Sequence, residues 1–566
     1  MKYLVLLRGI PGSGKSSFID EKYKPYVISP DQLRILTTGI KYDKTGKPYI
    51  PQDKNHLVWE LTYSLIKERM KEGSFIIVDA THTTKESINT YKKYVNKYGY
   101  KTIVIDFSNL SLEEAKRNNQ MRSSVKQVPE TIIDNMYEKI KNNNIPKFID
   151  YIFKIEKDSD FRHSNFEDYI KILKQQELLY PKKINKNIVF IGDIHGMYQE
   201  FEKLLTNIDN INNKFLVFIG DYFDRFPNEE ELVKLFDKLY ELQQKDNTYF
   251  IRGNHELYEF YLENYIKLNE EIKKLSNNLV SLKKAYQENI KKKENLNIKI
   301  NVDNIGENFR KLAQEKEELF KNRELIYEEY YKYKMKELRT KEKLLKFFAG
   351  YEAKKQKMEE ELNKVKISLN KIRDKLGRQK METIETLEKH GRLKKLLEFE
   401  KKLNTIFLYE NNEKYIFANH GGIPLKPSIL INEKEYIKGI GEYGEEEEIA
   451  KNFEKNAPEY FQVFGHRDIY FKGPQLSKNV YNLNGSAELG YDLRAMEYDI
   501  NENKPVNVFQ IFTERQTRHT VNKSYKHGNI LQIAQDHPYI KVKDLGNNIY
   551  SLNFTSEAFL KKKKNR

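Results

Sequence analysis

Residues 3–17, YLVLLRGIPGSGKSS, constrain the fold more than any other stretch of the chain. Five apolar residues run into Gly9-Ile10-Pro11-Gly12-Ser13-Gly14-Lys15-Ser16, a G-x-x-x-x-G-K-[ST] spacing, and a polar helical pattern follows. Glycines at these intervals let successive backbone N–H groups converge on a phosphate, and the geometry works only where a strand feeds a helix N-terminus. The chain must therefore begin in a parallel α/β sheet. Consistent with that, short apolar runs (YLVLL, FIIVDA, KTIVIDF and YIFKI) alternate with longer polar helical stretches to about residue 160. A polar linker, EKDSDFRHSNFEDY, separates them from a second α/β pattern that opens at KNIVFIGDIHG and continues through KFLVFIGDYFDR and TYFIRGNHE.

That second pattern is interrupted. No proline stands between Pro227 and Pro424, and from about 257 to 400 the chain is rich in Lys, Glu and Leu. Tyr261, Tyr265, Leu268, Ile272, Leu275, Leu279, Leu282 and Tyr286 step by alternating fours and threes, as do Met358, Leu362, Val365, Leu369, Ile372 and Leu376. Leu312, Leu319, Ile326 and Tyr333 recur every seven residues between them. These are heptad intervals and predict a long helical coiled-coil insertion, an antiparallel hairpin or a three-helix arm, which offers a route to oligomers. Such an arm accounts for a charged fraction of 32%, above the usual quarter. Strand signals resume at KYIFANHGG, YFQVFGHRD and VYNLNG, ahead of a basic end, KKKKNR. The expected organisation is a nucleotide-binding domain over 1–165, a second α/β domain over 166–503 containing the insertion, and a basic region over 504–566.

The absence of cysteine excludes disulfides and thiolate metal sites, so any metal must rest on His, Asp, Glu or Asn. A formal net charge of +16 suits a polyanionic partner such as nucleic acid. No apolar run approaches the ~18 residues of a membrane span. The first apolar run meets a glycine loop rather than a cleavage site, so no membrane association is expected and the cytosol is the default compartment.

Two constellations carry chemistry. In the first, Gly9, Gly12, Ser13, Gly14, Lys15, Ser16 and Ser17 form a cradle for ATP, with Lys15 as a cation for the β and γ phosphates and Ser16 for Mg2+. VISPDQLR places Asp31 and Arg34 three apart, on one side of a helical first turn. Asp31 could take the proton of an attacking hydroxyl while Arg34 holds a phosphate of the acceptor. FIIVDATH puts Asp79 at a strand end, and KRNNQMRSSVKQVPE supplies Arg117 and Arg122 on a lid. With these parts in order, the stretch 1–160 resembles the polynucleotide 5'-kinase family. The resemblance implies transfer of the ATP γ-phosphate to a 5'-hydroxyl end, with Asp31 as general base, Arg34 and Asp79 positioning the acceptor, and Arg117 and Arg122 on the donor phosphates. The five-residue separation of the two lid arginines departs from the tighter family spacing.

The second constellation comprises Asp193 and His195 in GDIHG, Asp221, Asp224 and Arg225 in GDYFDR, Asn254 and His255 in GNHE, His420 in ANHGG, and His466 in FGHRD. Most stand at the ends of apolar runs, where a sheet gathers distant residues into one crevice. Oxygen and imidazole donors without sulfur suit a pair of Mn2+, Fe, Ni2+ or Zn2+ ions. The motifs resemble the calcineurin-like metallophosphoesterases, near their protein-phosphatase branch. That resemblance implies an α/β sandwich in which Asp193 and His195 hold one metal, Asn254, His420 and His466 the other, and Asp221 bridges both. It also implies that Arg225 binds phosphate oxygens and that His255, oriented by Asp224, protonates the leaving group. After His466 the chain reads YNLNGSAELGYDL where relatives carry I-D-T-G, so no aspartate stands at that place.

Jointly the two halves resemble the polynucleotide kinase-phosphatases. The resemblance implies a two-activity end-healing enzyme for broken nucleic acid, RNA (tRNA) in preference to DNA. It would be an ATP- and Mg2+-dependent 5'-kinase and a metal-dependent 3'-phosphatase and 2',3'-cyclic phosphodiesterase, Mn2+ being the favoured metal. No K-x-[DN]-G motif occurs, so sealing falls to a separate RNA ligase; SLNFTSEAF, residues 551–559, resembles the start of some RNA ligase domains. The competing expectation is a small-molecule or nucleotide kinase fused to a protein or nucleotide metallophosphatase.

Overall fold

The computed structural model describes residues 2–155, 166, 169–170, 178–256, 259–295, 304–321, 328–467, 473–513, 540–546 and 549–554. Strands β1 (Tyr3–Arg8), β2 (Val27–Ile28), β5 (Ile76–Val78), β6 (Lys101–Asp106) and β7 (Tyr151–Lys154) form a sheet in the order β2-β5-β1-β6-β7. Every pairing in it is parallel. β1 and β5 are fully buried, as continuous apolar runs in a sheet covered on both faces must be. Helices α1 (Lys15–Phe18), α2 (Pro30–Thr38) and α3 (Asn55–Lys71) follow the first strands, and a short hairpin of β3 (Lys41–Tyr42) and β4 (Pro48–Tyr49) joins α2 to α3. The expected parallel α/β sheet is present.

The second α/β region is a sandwich of two sheets. One holds β8 (Ile188–Ile191), β9 (Phe215–Phe218), β10 (Thr248–Phe250), β16 (Asp492–Asp499), β17 (Lys504–Phe512), β18 (Ile540–Gly546) and β19 (Ile549–Phe554), in the order β10-β9-β8-β16-β17-β19-β18. The other holds β11 (Ile406–Asn411), β12 (Lys414–Asn419), β13 (Tyr460–Phe464), β14 (Gln475–Ser477) and β15 (Val480–Asn482), in the order β11-β12-β13-β15-β14. Phe190, Val217, Phe407, Ala418, Val463 and Met496 fill the space between them. The sheet runs past residue 503: β17 pairs antiparallel with both β16 and β19, so the boundary expected there falls between hydrogen-bonded strands. Ser551–Phe554 lie in β19, and the remainder of the SLNFTSEAF stretch lies outside the described residues.

A helical unit, Tyr258–Leu397, is compact by itself. Its helices Glu259–Asn295 and Glu328–Lys389 pack together, and Ile305–Lys321 packs on the latter. Tyr286 stacks on Tyr351 at 4.1 Å and Tyr265 donates to Glu388, so the two long helices run antiparallel. Tyr265, Leu279, Leu369 and Leu376 of the heptad stripes are buried, whereas Ile326 lies outside the described residues. Gly377, at φ 77°, breaks the longest helix. Among the described residues no helix is long and apolar enough to cross a membrane.

Candidate active sites

The first site forms at the carboxyl end of β1. Gly12 has φ 82°, and a Cβ there would lie 2.1 Å from the carbonyl oxygen of Ala115, so the loop closes onto the helix Leu112–Gln120 only because position 12 is bare. Asn118 of that helix donates to the Gly12 carbonyl at 3.0 Å, a support that the sequence spacing did not single out. The Lys15 ammonium reaches the carbonyls of Gly9 (2.8 Å) and Ile10 (2.9 Å) and the Ser13 hydroxyl (3.3 Å). Burial lowers its pKa to about 8, with Asp79 and Asp31 pulling upward and Arg122 downward. Four of the expected residues thus share one electrostatic neighbourhood.

Ser16 donates to Asp79 Oδ2 at 2.7 Å, which sets Asp79 beside the hydroxyl expected to serve Mg2+. Ser17 follows Ser16 on the solvent side of α1. On α2, Arg34 donates to Asp31 Oδ1 at 2.6 Å and to Asn55 Oδ1 on α3 at 2.6 Å, so a second helix fixes the guanidinium. Arg117 is solvent-exposed on its helix, while Arg122 is half-buried. Pairing of a hydroxyl with a carboxylate at the mouth of the glycine loop is a donor set that fits Mg2+ with a triphosphate.

The second site collects at the carboxyl ends of β8, β9, β10, β12 and β13. His195, Asp221, Arg225 and His466 have φ of 46°, 53°, 68° and 63°. Non-glycine residues in the left-handed region are strained, and their concentration here marks a site held by its surroundings. Asp221 belongs to two clusters of ligand atoms, one with His195 and His255 and one with His420 and His466. Its Oδ2 stands 3.6 Å from His195 Nε2, 3.2 Å from His420 Nε2 and 4.0 Å from His255 Nε2. Asn254 Oδ1 lies 3.0 Å from His420 Nε2 and 2.8 Å from His466 Nδ1, and the His466 backbone N–H donates to Asp193 Oδ2 at 3.0 Å. All six expected ligands therefore meet in one crevice. His255 Nδ1 sits 2.9 Å from Asp224 Oδ2, and Arg225 donates to Glu488 Oε1 at 2.8 Å.

Burial alone would drive these carboxyls neutral. It does so for Asp193, whereas His420, His255 and His195 overcome burial at Asp221 and hold it well below the usual range. Asp193 Oδ1 and His195 Nδ1 are buried with no hydrogen-bond partner among the described residues. Orphaned buried groups of this kind are costly unless something cationic meets them. With imidazole, amide and carboxylate donors clustered twice around one shared aspartate, the residues fit a pair of divalent ions.

Three supporting residues lie outside the expected set. Glu256 accepts from the backbone N–H groups of Asp221 (2.9 Å), Tyr222 (2.8 Å) and Gly253 (3.0 Å), and so shapes the turn that presents Asp221. Arg467, 1% exposed, donates to the carbonyls of Gly421, Ile440 and Glu442 and fixes the loop whose Tyr443 hydroxyl meets His466 Nε2 at 2.9 Å. Glu488, buried in the YNLNGSAELGYDL stretch, also stands 3.9 Å from His195 Nε2. Glu256 and Arg467 adjoin motif residues, and that adjacency was their one legible signal.

A serine/threonine-protein phosphatase of Caenorhabditis elegans is 30% identical over 107 residues, which span 17% of this chain and 29% of that protein. The chain thus covers less than a third of the relative it matches. A protein serine/threonine phosphatase structure from Saccharomyces cerevisiae is similar at 12% identity and a TM-score of 0.29, over 62% of this chain and 89% of that one. A chain of the Pnkp1/Rnl/Hen1 RNA repair complex is similar at 12% identity and a TM-score of 0.21, over 43% of this chain and 76% of that one. Residues 4–142 match the AAA domain family, and residues 186–352 match the calcineurin-like phosphoesterase family, whose match stops short of His420 and His466. The chain joins a P-loop, kinase-like domain to a calcineurin-like metallophosphoesterase domain.

Proposed function

We propose that this protein heals broken nucleic-acid ends, phosphorylating a 5'-hydroxyl with ATP and clearing a 3'-phosphate or 2',3'-cyclic phosphate. The observation that carries the reading is the Asp31–Arg34 pair, 2.6 Å apart, close enough to the loop for Asp31 to act on Lys15. A nucleotide hydrolase needs no such pair. An enzyme that brings a hydroxyl next to a phosphate to the γ-phosphoryl group needs a base for the one and a cation for the other.

In this reading the N–H groups of Gly12, Ser13 and Gly14 and the Lys15 ammonium bind the triphosphate, while Ser16 and Asp79 would hold Mg2+. Asp31 accepts the proton of the 5'-hydroxyl. Arg34 binds the neighbouring phosphate, and Asn55 fixes its orientation. Arg122 approaches the donor phosphates from the lid, joined by Arg117 on closure.

At the second site Asp193 and His195 would hold one ion, Asn254, His420 and His466 the other, and Asp221 both. Manganese is the favoured ion, with nickel, iron and zinc as alternatives. Such a pair supplies a hydroxide nucleophile at neutral pH and neutralises charge on the phosphoryl oxygens. Arg225, steadied by Glu488, binds those oxygens, and His255, oriented by Asp224, delivers a proton to the leaving alkoxide. RNA is the favoured substrate over DNA, the cytosol the compartment, and a separate ligase the enzyme that joins the healed ends.

The test is end analysis of a nicked tRNA-like RNA incubated with ATP, Mg2+ and Mn2+. Conversion of 5'-OH to 5'-phosphate with loss of the 3'-terminal phosphate is expected. Phosphorylation confined to small molecules, or none, would overturn the reading.

A further inference from the structure

The face of α3 beyond Asn55 has no part in the chemistry above, yet its composition is unusual. Asn55, which holds Arg34, is followed at intervals of four by Trp59, Tyr63 and Lys67. In a helix such residues line up about 6 Å apart, a distance comparable with one nucleotide step along an extended strand. Trp59 stacks on Tyr63 with ring centroids 5.7 Å apart and planes inclined at 30°. Tyr63 stacks in turn on Tyr94 of the helix Lys92–Tyr98, at 5.9 Å and 21°. Tyr63 is pinned by its hydroxyl, which donates to Thr90 at 3.1 Å.

Two adjoining clefts, of about 450 and 480 Å³, open between these helices, both lined by Tyr63, Lys93 and Tyr94. Lys67 and Lys97 line one and Lys92 the other, all exposed, with Glu60 the one acidic residue at the rim. A near-parallel aromatic ladder set among exposed lysines is the combination that holds single-stranded nucleic acid: rings for bases, ammonium groups for phosphates. An acidic peptide would use the lysines and leave the ladder idle.

We propose that this face binds the single strand that trails the acceptor end, its bases on Trp59, Tyr63 and Tyr94 and its phosphates on Lys67, Lys93 and Lys97. The proposal rests on the kinase reading for its direction: the 5' end sits at Arg34, and the strand leaves along α3. It makes the acceptor a polynucleotide, with affinity that grows over the first few nucleotides.

Trp59 is the single tryptophan of the chain, so intrinsic fluorescence reports this face directly. Titration of the full chain with a 12-nucleotide single-stranded 5'-OH RNA should quench it saturably, whereas a duplex of the same sequence should not. In kinase assays, Trp59→Ala combined with Lys93→Glu and Lys97→Glu should raise KM for the 12-mer roughly 10- to 100-fold, as loss of a stacked base predicts. KM for a 5'-OH nucleoside 3'-phosphate, which ends at Arg34 and reaches neither Trp59 nor Tyr63, and kcat for both acceptors should stay within about twofold. The single variant Lys93→Glu, at an exposed position, gives the same direction should the triple variant fold poorly. Absence of quenching by the 12-mer, or an equal change in KM for both acceptors, overturns the proposal. Failure of the wild type to phosphorylate any 5'-OH nucleotide or strand sinks the kinase reading instead, and saturable quenching would still identify the strand-binding face.

Discussion

A methyl group at residue 465 is expected to disable the phosphoesterase without removing any of its ligands. Gly465 follows β13, and a Cβ built there would lie 2.0 Å from Asp193 Oδ1, whereas ordinary contact begins near 3.4 Å. In Gly465→Ala the carboxylate must therefore retreat by more than 1 Å. It cannot do so freely, because its other oxygen accepts the backbone N–H of His466 at 3.0 Å. Overpacking of this kind costs about 1–3 kcal/mol of stability. A displacement near 1 Å at a reacting centre costs about 100-fold in rate, and disturbed ligand support costs about 10- to 100-fold in metal affinity. Hydrolysis of a small chromogenic phosphodiester, measured over a Mn2+ titration, should show both effects, with the half-saturating Mn2+ concentration raised and the plateau lowered. Phosphorylation of a 5'-OH oligonucleotide by the same preparation serves as the internal control and should stay within twofold of wild type. Gly473→Ala, where a Cβ meets nothing within 4 Å among the described residues, should change neither activity. A folded Gly465→Ala protein that hydrolyses the diester at the wild-type rate at limiting Mn2+ would refute the role given to Asp193.

Other consequences are as direct. The Lys15 pKa falls to about 8 when folded and returns to about 10.5 when unfolded, so the unfolded chain binds the extra proton between those values. Its contribution to stability rises as pH climbs through that window, by at most about 3 kcal/mol. Urea unfolding at pH 7 and pH 10.5 should show this rise in wild type relative to Lys15→Met, and an unchanged difference would refute the burial assigned to the ammonium. Arg467→Ala strips the carbonyls of Gly421, Ile440, Gly441 and Glu442 of a buried cation and should cost about 3–5 kcal/mol while lowering phosphoesterase activity, with Arg467→Lys intermediate in both. Replacement of residues 262–385 by a short Gly/Ser link should leave small-diester hydrolysis within about threefold, because none of the candidate ligands lies in the unit Tyr258–Leu397; loss of metal binding by a folded, soluble deletion would contradict that.

Much of this was legible in the sequence because the decisive residues occupy places that backbone geometry dictates. A glycine loop after an apolar run can only be a strand-to-helix turn, and Asp193, Asp221, Asn254, His420 and His466 each follow an apolar strand by one to four residues. Periodicity likewise revealed the helical unit. What stayed hidden depends on contacts between distant segments. Glu256 accepts from the backbone N–H groups of Asp221 and Tyr222, 35 and 34 positions away, and Glu488 reaches Arg225 across 263 positions. Asp79 reads from sequence as a residue beside the acceptor, and its pairing with Ser16 depends on β1 and β5 being neighbours. The polar linker concealed Phe166, which is 1% exposed and lies edge-on to Phe18, Tyr23 and Phe75.

Phe166 also bears on how the two catalytic domains are joined. The apolar cluster around it is continuous from Tyr3, Phe18, Phe75 and Ile105 of the P-loop domain to Ile406, Phe417, Tyr436 and Phe453 of the phosphoesterase. Glu433 closes the edge of this junction: it accepts from Lys2 at 2.9 Å and from Thr405 at 3.1 Å, and a Cβ on Gly73 would lie 2.5 Å from its own Cβ. Lys434 pairs with Glu72 beside it at 2.7 Å. Burial alone would raise the Glu433 pKa, but Lys2 and Arg252 overcome that and bring it down to about 2. A carboxyl depressed in the folded state contributes stability that is complete above its unfolded value near 4.5 and fades as pH falls toward 2, at most about 3 kcal/mol here. Domains that share a core and such a pair should unfold together, so kinase and phosphoesterase activities should be lost at the same temperature in a heat challenge. Glu433→Gln should lower that temperature at pH 7, and its stability gap to wild type should shrink to less than half by about pH 3, as the linkage requires. Loss of the two activities at well-separated temperatures in wild type would show that the shared core does not couple them.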